Sequence, residues 1–242
     1  MFKFTQFFML AFLVSACGNS TATTTASENP EIPKSSPQEV QDDKEKDKEK
    51  DKDEVTDIET VIDSIKIRKS SHNLAWTENY SRALFQIWAH EKIAPLFETA
   101  IFQEDLDRLG CSNYNTLSLT NKKIFMTVYM AAIAEAESDF RASIVTTNPG
   151  DQTSNVGLLQ IDVEAANAHT KKTLGNLVEN DLLDPETNLQ VGAFILRNQI
   201  RGKIASARLL PAKSYYWQVL THPKRLLRNL NHNKESISFC QT

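Results

Sequence analysis

Lys122-Lys123-Ile124-Phe125-Met126-Thr127-Val128-Tyr129-Met130-Ala131-Ala132-Ile133-Ala134-Glu135-Ala136-Glu137-Ser138-Asp139-Phe140 is the stretch on which the reading of this chain turns. Ile124, Phe125, Val128, Ala131, Ala132 and Ala136 recur at helical spacing and cover a wide face, and the alanines permit close packing. A helix apolar on most of its surface is a central one, expected here from about Lys122 to Glu137, with start signals in Ser118 to Asn121. It ends in carboxylates. A carboxyl partly removed from water has its ionised form disfavoured, so its pKa rises and it can donate a proton near neutrality. Glu137 is the preferred candidate and Glu135 its competitor. Two positions along a helix are ~200° of rotation, so only one of them can face a given cleft. Asp139 is a third candidate.

Beyond this helix the chain reads as loop over residues 141 to 156, with a turn signal at Asn148-Pro149-Gly150-Asp151. Gly157-Leu158-Leu159-Gln160-Ile161 is a short extended or turn segment. Asp162 can cap a helix through about His169. Asp184-Pro185-Glu186 opens another helix, with Leu189, Ala193, Leu196 and Ile200 as its core stripe. Ser214 to Leu220 is a last helix or helical turn. Upstream, Glu78 to Leu109 has helical periodicity broken near Pro95, with Trp76, Leu84, Phe85, Trp88 and Phe97 as core. Glycine is scarce, 7 in 242 residues, so helices should dominate. The fold class expected is mainly α with minimal sheet, in one globular domain over 56–242.

Three motifs occur in order: Glu137-Ser138-x-Phe140, Gly157-Leu158-Leu159-Gln160-Ile161, and Asp184-Pro185-x-x-Asn188-Leu189 with Gly192. Together they resemble the lytic transglycosylase (SLT) domain, over about 117–220. The resemblance implies a lysozyme-like fold, α+β with a very small sheet. It implies that Glu137 is the catalytic acid and then base, and that Ser138 supports the site. Gln160 and the backbone of Gly157, Leu158 and Leu159 would line the groove for an N-acetylated sugar. The family's late aromatic maps to Tyr215 or Tyr216, with Tyr216 preferred. The implied substrate is the peptidoglycan glycan strand. The implied reaction is non-hydrolytic cleavage of the β-1,4 bond from N-acetylmuramic acid to N-acetylglucosamine, leaving a 1,6-anhydro end, with no metal or organic cofactor. The family's Ala-Tyr-Asn motif is absent, and its Ser-x-x-Gly-Ala segment is replaced by Thr146 to Val156. Rival readings are a goose-type lysozyme-like hydrolase, using Asp151 or Asp162 as an added carboxylate, and an inactive peptidoglycan-binding lipoprotein.

The N-terminus carries a separate signal. Lys3 precedes an apolar run, Phe7 to Val14, too short to span a bilayer as a mature helix. Leu13-Val14-Ser15-Ala16-Cys17 resembles the lipobox of a bacterial lipoprotein signal peptide, 1–16. The resemblance implies cleavage before Cys17 and its acylation. Gly18, where an Asp would retain the protein, then implies the outer membrane, facing the periplasm, with other cell-wall machinery as further partners. Residues 17–55 read as a disordered tether. Its alternating charges over 42–54, five Lys against eight acidic residues, offer no apolar side chains to bury. As a coil, ~38 residues would reach ~30–40 Å on average. With Cys17 lipidated in an exported protein, Cys111 and Cys240 are expected to bridge.

Other chemistries are excluded. The net charge is −4 and residues 42–54 alone carry −3, so the folded part is near neutral and unsuited to nucleic acid. Lys224, Arg225 and Arg228 read as solvated surface. His90-Glu91-Lys92-Ile93 starts an HExxH pattern, but Ala94 stands where the second histidine would be. His169 reads as surface or satisfied core, and there is no G-x-S-x-G elbow.

Overall fold

The computed structural model describes residues 57–150, 152–201, 207–211 and 216–241. The stretches expected to be a signal peptide and a tether, with Cys17, lie outside them, as do Asp151 and Tyr215. The described residues are mostly helical, with one two-stranded sheet, in a lysozyme-like arrangement. In chain order the helices are α1 (Ile58–Ser64), α2 (Glu78–Ala89), α3 (Gln103–Leu109), α4 (Leu119–Ser138), α5 (Val163–Leu174), α6 (Glu179–Leu182), α7 (Pro185–Ile200), α8 (Gln218–Thr221) and α9 (Lys224–His232). The strands are β1 (Val145–Thr147) and β2 (Ser154–Val156).

α4 is the central helix. From Ile124 to Ala136 every side chain is buried, which the run of apolar and small residues permits. It starts three residues earlier than the apolar pattern indicates. The N–H of Asn121 donates to Ser118 Oγ (3.3 Å), so Ser118 is the cap, and the polar first turn carries no core signal. α2 and α9 pack on α4, and α2 and α5 pack on α7. Trp88 Nε1 donates to Thr127 Oγ1 (3.0 Å), which satisfies two buried polar groups at the α2–α4 contact. Trp76, Leu84, Phe85, Trp88 and Phe97 are all buried. α5 runs past His169 to Leu174 and stops at Gly175, where φ is +82°. His169 is satisfied by the Asn198 amide of α7 (2.9 Å).

Two differences from the sequence expectations bear on the site. Residues 141–156 contain a β-hairpin, antiparallel, with Val145 opposite Val156, Thr146 opposite Asn155 and Thr147 opposite Ser154. These strands are three residues long and mostly polar, so no alternating apolar pattern announces them. A further helix also follows Ser214 to Leu220, the last one expected. α9 buries Leu226 and Leu230, and a 3-10 stretch, Lys234–Gln241, follows it onto α4. A disulfide joins Cys111 to Cys240 and ties this last stretch to the segment leading into α4.

Candidate active site

A cleft of about 490 Å³ opens at the C-terminal end of α4, a size suited to a sugar. Glu137 lines it together with Thr146, Asn148 and Asn155 of the hairpin, then Gln160, Asp162, Tyr216, Trp217 and Gln218.

The end of α4 aims Glu137. Asp139 is the C-cap in the left-handed region (φ 59°), and its N–H donates to the carbonyl of Glu135 (3.2 Å). Phe140 is left-handed as well (φ 65°). Asp tolerates this conformation, whereas a bulky residue there costs on the order of 1–3 kcal/mol and persists only where its surroundings hold it. Ser138 is buried, and its hydroxyl donates to the carbonyl of Ala134 (3.0 Å). Arg141 Nε donates to the carbonyl of Ser138 (2.9 Å), closing the turn. Burial pushes the Glu137 carboxyl up to about 7, and the charge of Arg225 opposes that rise. Arg225 is exposed but not merely solvated, because its Nη2 donates to the carbonyl of Glu135 (3.0 Å). Glu135 faces elsewhere: it is 4 % exposed, its Oε1 lies 3.9 Å from Arg68 Nη2, and it does not line the cleft. Burial raises its pKa too, so position rather than acidity separates the two glutamates.

The glycine-glutamine turn forms a second wall and is stapled from behind. Gly157 has φ +75°, and a Cβ there would stand 2.5 Å from the carbonyl of Leu182 and from Asn188 Nδ2, so only glycine fits. A Cβ on Gly192 of α7 would stand 2.2 Å from Leu159 Cδ1, so that glycine lets the turn pack on α7. Asn188, fully buried, accepts from the N–H of Leu159 (2.9 Å) and donates to the carbonyls of Val156 (2.9 Å) and Leu182 (2.9 Å). Trp217 Nε1 donates to the carbonyl of Leu159 (2.8 Å). Gln160, with φ 49°, is nearly buried. Its Nε2 donates to the carbonyl of Gly157 (3.0 Å), and its Oε1 accepts from Thr146 Oγ1, which locks the hairpin to the turn.

Tyr216 reaches the cleft from the other side. Its hydroxyl accepts from the N–H of Asp162 (2.8 Å) and donates to Asp162 Oδ2 (3.0 Å), and burial raises its pKa. Asp162 Oδ1 accepts from the N–H of Ala165 (2.7 Å) as the cap of α5.

Of the residues singled out in the sequence, Glu137, Gln160, Asp162 and Tyr216 meet at the cleft. Ser138, Gly157, Leu158 and Leu159 stand behind its walls. Both backbone groups of Leu159 are taken by Asn188 and Trp217, and those of Gly157 by Ile144, Gln160 and the Gln160 amide. The turn therefore shapes the groove, while the side chains of Thr146, Asn148, Asn155, Trp217 and Gln218 complete its surface. The hairpin residues carried no sequence signal for this role. Asp162 was legible as a helix cap and as a candidate added carboxylate, but not as the partner of Tyr216.

Residues 117–216 match the family model described as Transglycosylase SLT domain. No curated protein matches the chain. Among solved structures, wild-type form 2 of DslA is similar at 24 % identity, with a TM-score of 0.54, over 71 % of this chain and 98 % of that one. Two glutamate-to-glutamine mutants of DslA are similar at 23 % and 21 % identity, with TM-scores of 0.53 and 0.54. They cover 71 % and 72 % of this chain and 98 % and 99 % of theirs. At this identity the likeness speaks to the fold.

Proposed function

We infer, from the premise that this chain carries a transglycosylase SLT domain over residues 117–216 and is a lytic transglycosylase acting on peptidoglycan, that one glutamate, Glu137, performs both proton transfers. The observation that carries this reading is the half-buried Glu137 at the cleft, with its carboxyl held at about 7. Most glycosidases use two carboxylates. Among the described residues the other carboxylate on the cleft, Asp162, has one oxygen on the cap of α5 and one on Tyr216, which leaves it poorly placed to activate a water. That favours transglycosylation over the goose-type hydrolytic reading.

In the proposed sequence Glu137, protonated, gives its proton to the glycosidic oxygen as the bond from C1 of N-acetylmuramic acid breaks. The acetamido oxygen of the same sugar stabilises the charge at C1. Glu137, now ionised, takes the proton from O6 of that sugar. O6 bonds to C1 as the acetamido oxygen leaves, which closes the 1,6-anhydro ring and returns Glu137 to its acid form. No water is consumed. Tyr216 is held by Asp162 where it can bear on the sugar, and Gln160 keeps the hairpin and the turn in register around it.

Because the first step needs the protonated carboxyl, activity falls as pH rises through about 7. Murein turbidity assays between about pH 5 and 9 check this. In Arg225→Met the charge that opposes burial is gone, so the falling limb moves to higher pH.

We also propose that Cys17 is acylated and that the tether holds the domain at the outer membrane within reach of the murein. The lipobox-like Leu13 to Cys17 and the composition of 17–55 support this. Labelled palmitate incorporated by wild type and lost in Cys17→Ser is the expected result.

A further inference from the structure

We propose that residues 65–76, a strap lying N-terminal to the SLT-matched region, are a positioning element of the active site, holding the left-handed turn at Asp139 and Phe140 that aims Glu137 into the cleft. The proposal rests on the reading of Glu137 as the acid and base.

The strap is tied down at its start. Lys66 N–H donates to Ser236 Oγ, and that hydroxyl donates back to the carbonyl of Lys66, both at 2.8 Å. Arg68 N–H donates to Oδ1 of the buried Asn233 (2.9 Å). It then folds on itself. Ser70 N–H donates to the carbonyl of Leu74 (2.8 Å), and Leu74 N–H donates back to Ser70 Oγ (3.2 Å). This turn delivers Ser71 and His72 to Asp139. The Asp139 carboxylate is 4 % exposed, and a buried carboxylate requires partners. Ser71 Oγ donates to its Oδ1 (3.5 Å), and His72 Nδ1 pairs with its Oδ2. Four residues on, Trp76 sets its ring edge-on to Phe140, with centroids 5.8 Å apart, and its Nε1 donates to Ser81 Oγ of α2 (2.9 Å). Both left-handed residues that follow Glu137-Ser138 are thus gripped by one segment. A carboxyl displaced by even ~1 Å can cost a reaction ~100-fold, so the grip bears on rate.

The His72 side chain is 75 % exposed, so its removal takes little from the core and its effects on rate and on folding can be separated. The test uses the full chain, soluble murein fragments as substrate, and thermal unfolding in parallel, with Glu137→Gln as the reference. His72→Ala is expected to lower kcat by about 10- to 100-fold with KM within about twofold, and to lower Tm, since Asp139 is left with Ser71 alone, while the protein stays folded at the assay temperature. His72→Gln, which can still donate to Asp139, stays within about threefold of wild type. Asp139→Asn in the His72→Ala background removes the charge that lacks a partner, keeps a residue at ease in the left-handed region, and recovers kcat. The proposal is overturned if His72→Ala keeps wild-type kcat while Glu137→Gln is inactive. It is equally overturned if His72→Gln is as impaired as His72→Ala, or if the loss in kcat follows a loss of folded protein. Activity surviving in Glu137→Gln would instead sink the acid–base reading and leave the strap result interpretable on its own.

Discussion

Glu137→Gln retains the fold and loses murein cleavage by on the order of 10³-fold or more, since glutamine fills the same space but can neither give nor take the proton. The walls of the cleft do not depend on this carboxyl. The turn is held by Asn188 and Trp217, and the hairpin by Gln160. The same substitution leaves a thermodynamic mark. The Glu137 carboxyl titrates near 4.5 when exposed and near 7 in the fold. As pH rises from 4.5 to 7 the unfolded chain ionises first, so wild-type stability falls across that window. Glutamine has no proton to lose, so at pH 8 the variant should melt above wild type. Glu135→Gln keeps at least about a tenth of wild-type activity, because that residue faces Arg68 and not the cleft. Muropeptide release and melting curves on the three proteins check this. Activity of Glu137→Gln within about tenfold of wild type would remove its assigned role.

Asn188→Leu is the expected large loss of stability. Its amide serves the N–H of Leu159 and the carbonyls of Val156 and Leu182, all in the interior. Leucine nearly fills the volume and pairs none of them. The Val156 carbonyl keeps the Ile161 N–H, but the Leu159 N–H and the Leu182 carbonyl lose their Asn188 partner, and at about 1–3 kcal/mol for each buried group left unpaired ~2–6 kcal/mol in total is expected. For a domain of this size that lowers Tm by on the order of 10 °C. The turn is released along with it, so activity per folded molecule should fall as well. A Tm within about 3 °C of wild type would show that the turn is held by other means.

Much of this was legible in the chain. The apolar run of α4 announced a central helix, and the two-residue spacing of Glu135 and Glu137 required them to face different ways. The glycines of the second and third motifs could be read as letters of a pattern. Their reason is steric and appears only in space: Gly157 makes room for Asn188 and the Leu182 carbonyl, and Gly192 for Leu159. The hairpin was not legible, because Thr146, Thr147, Ser154 and Asn155 show no apolar alternation and their pairing is set by contacts with Gln160 and Ile161. The strap and α9 escaped notice for related reasons. Residues 65–76 have no periodicity, since they work through hydrogen bonds to residues more than sixty positions away. Arg225 looked like one of three solvated cations, yet it closes the end of α4 and opposes the effect of burial on Glu137. Local pattern reports burial on one element; it does not report which distant carbonyl a side chain will find.

The most direct test of the central claim is the mass of the products released from purified murein by the wild-type protein. If Glu137 alone handles both protons, every new muramic acid end is a 1,6-anhydro end, one water lighter than a reducing sugar, and those ends vanish with Glu137→Gln. Reducing ends as the main product would contradict it, and would mean that a water, not O6, attacks at this site.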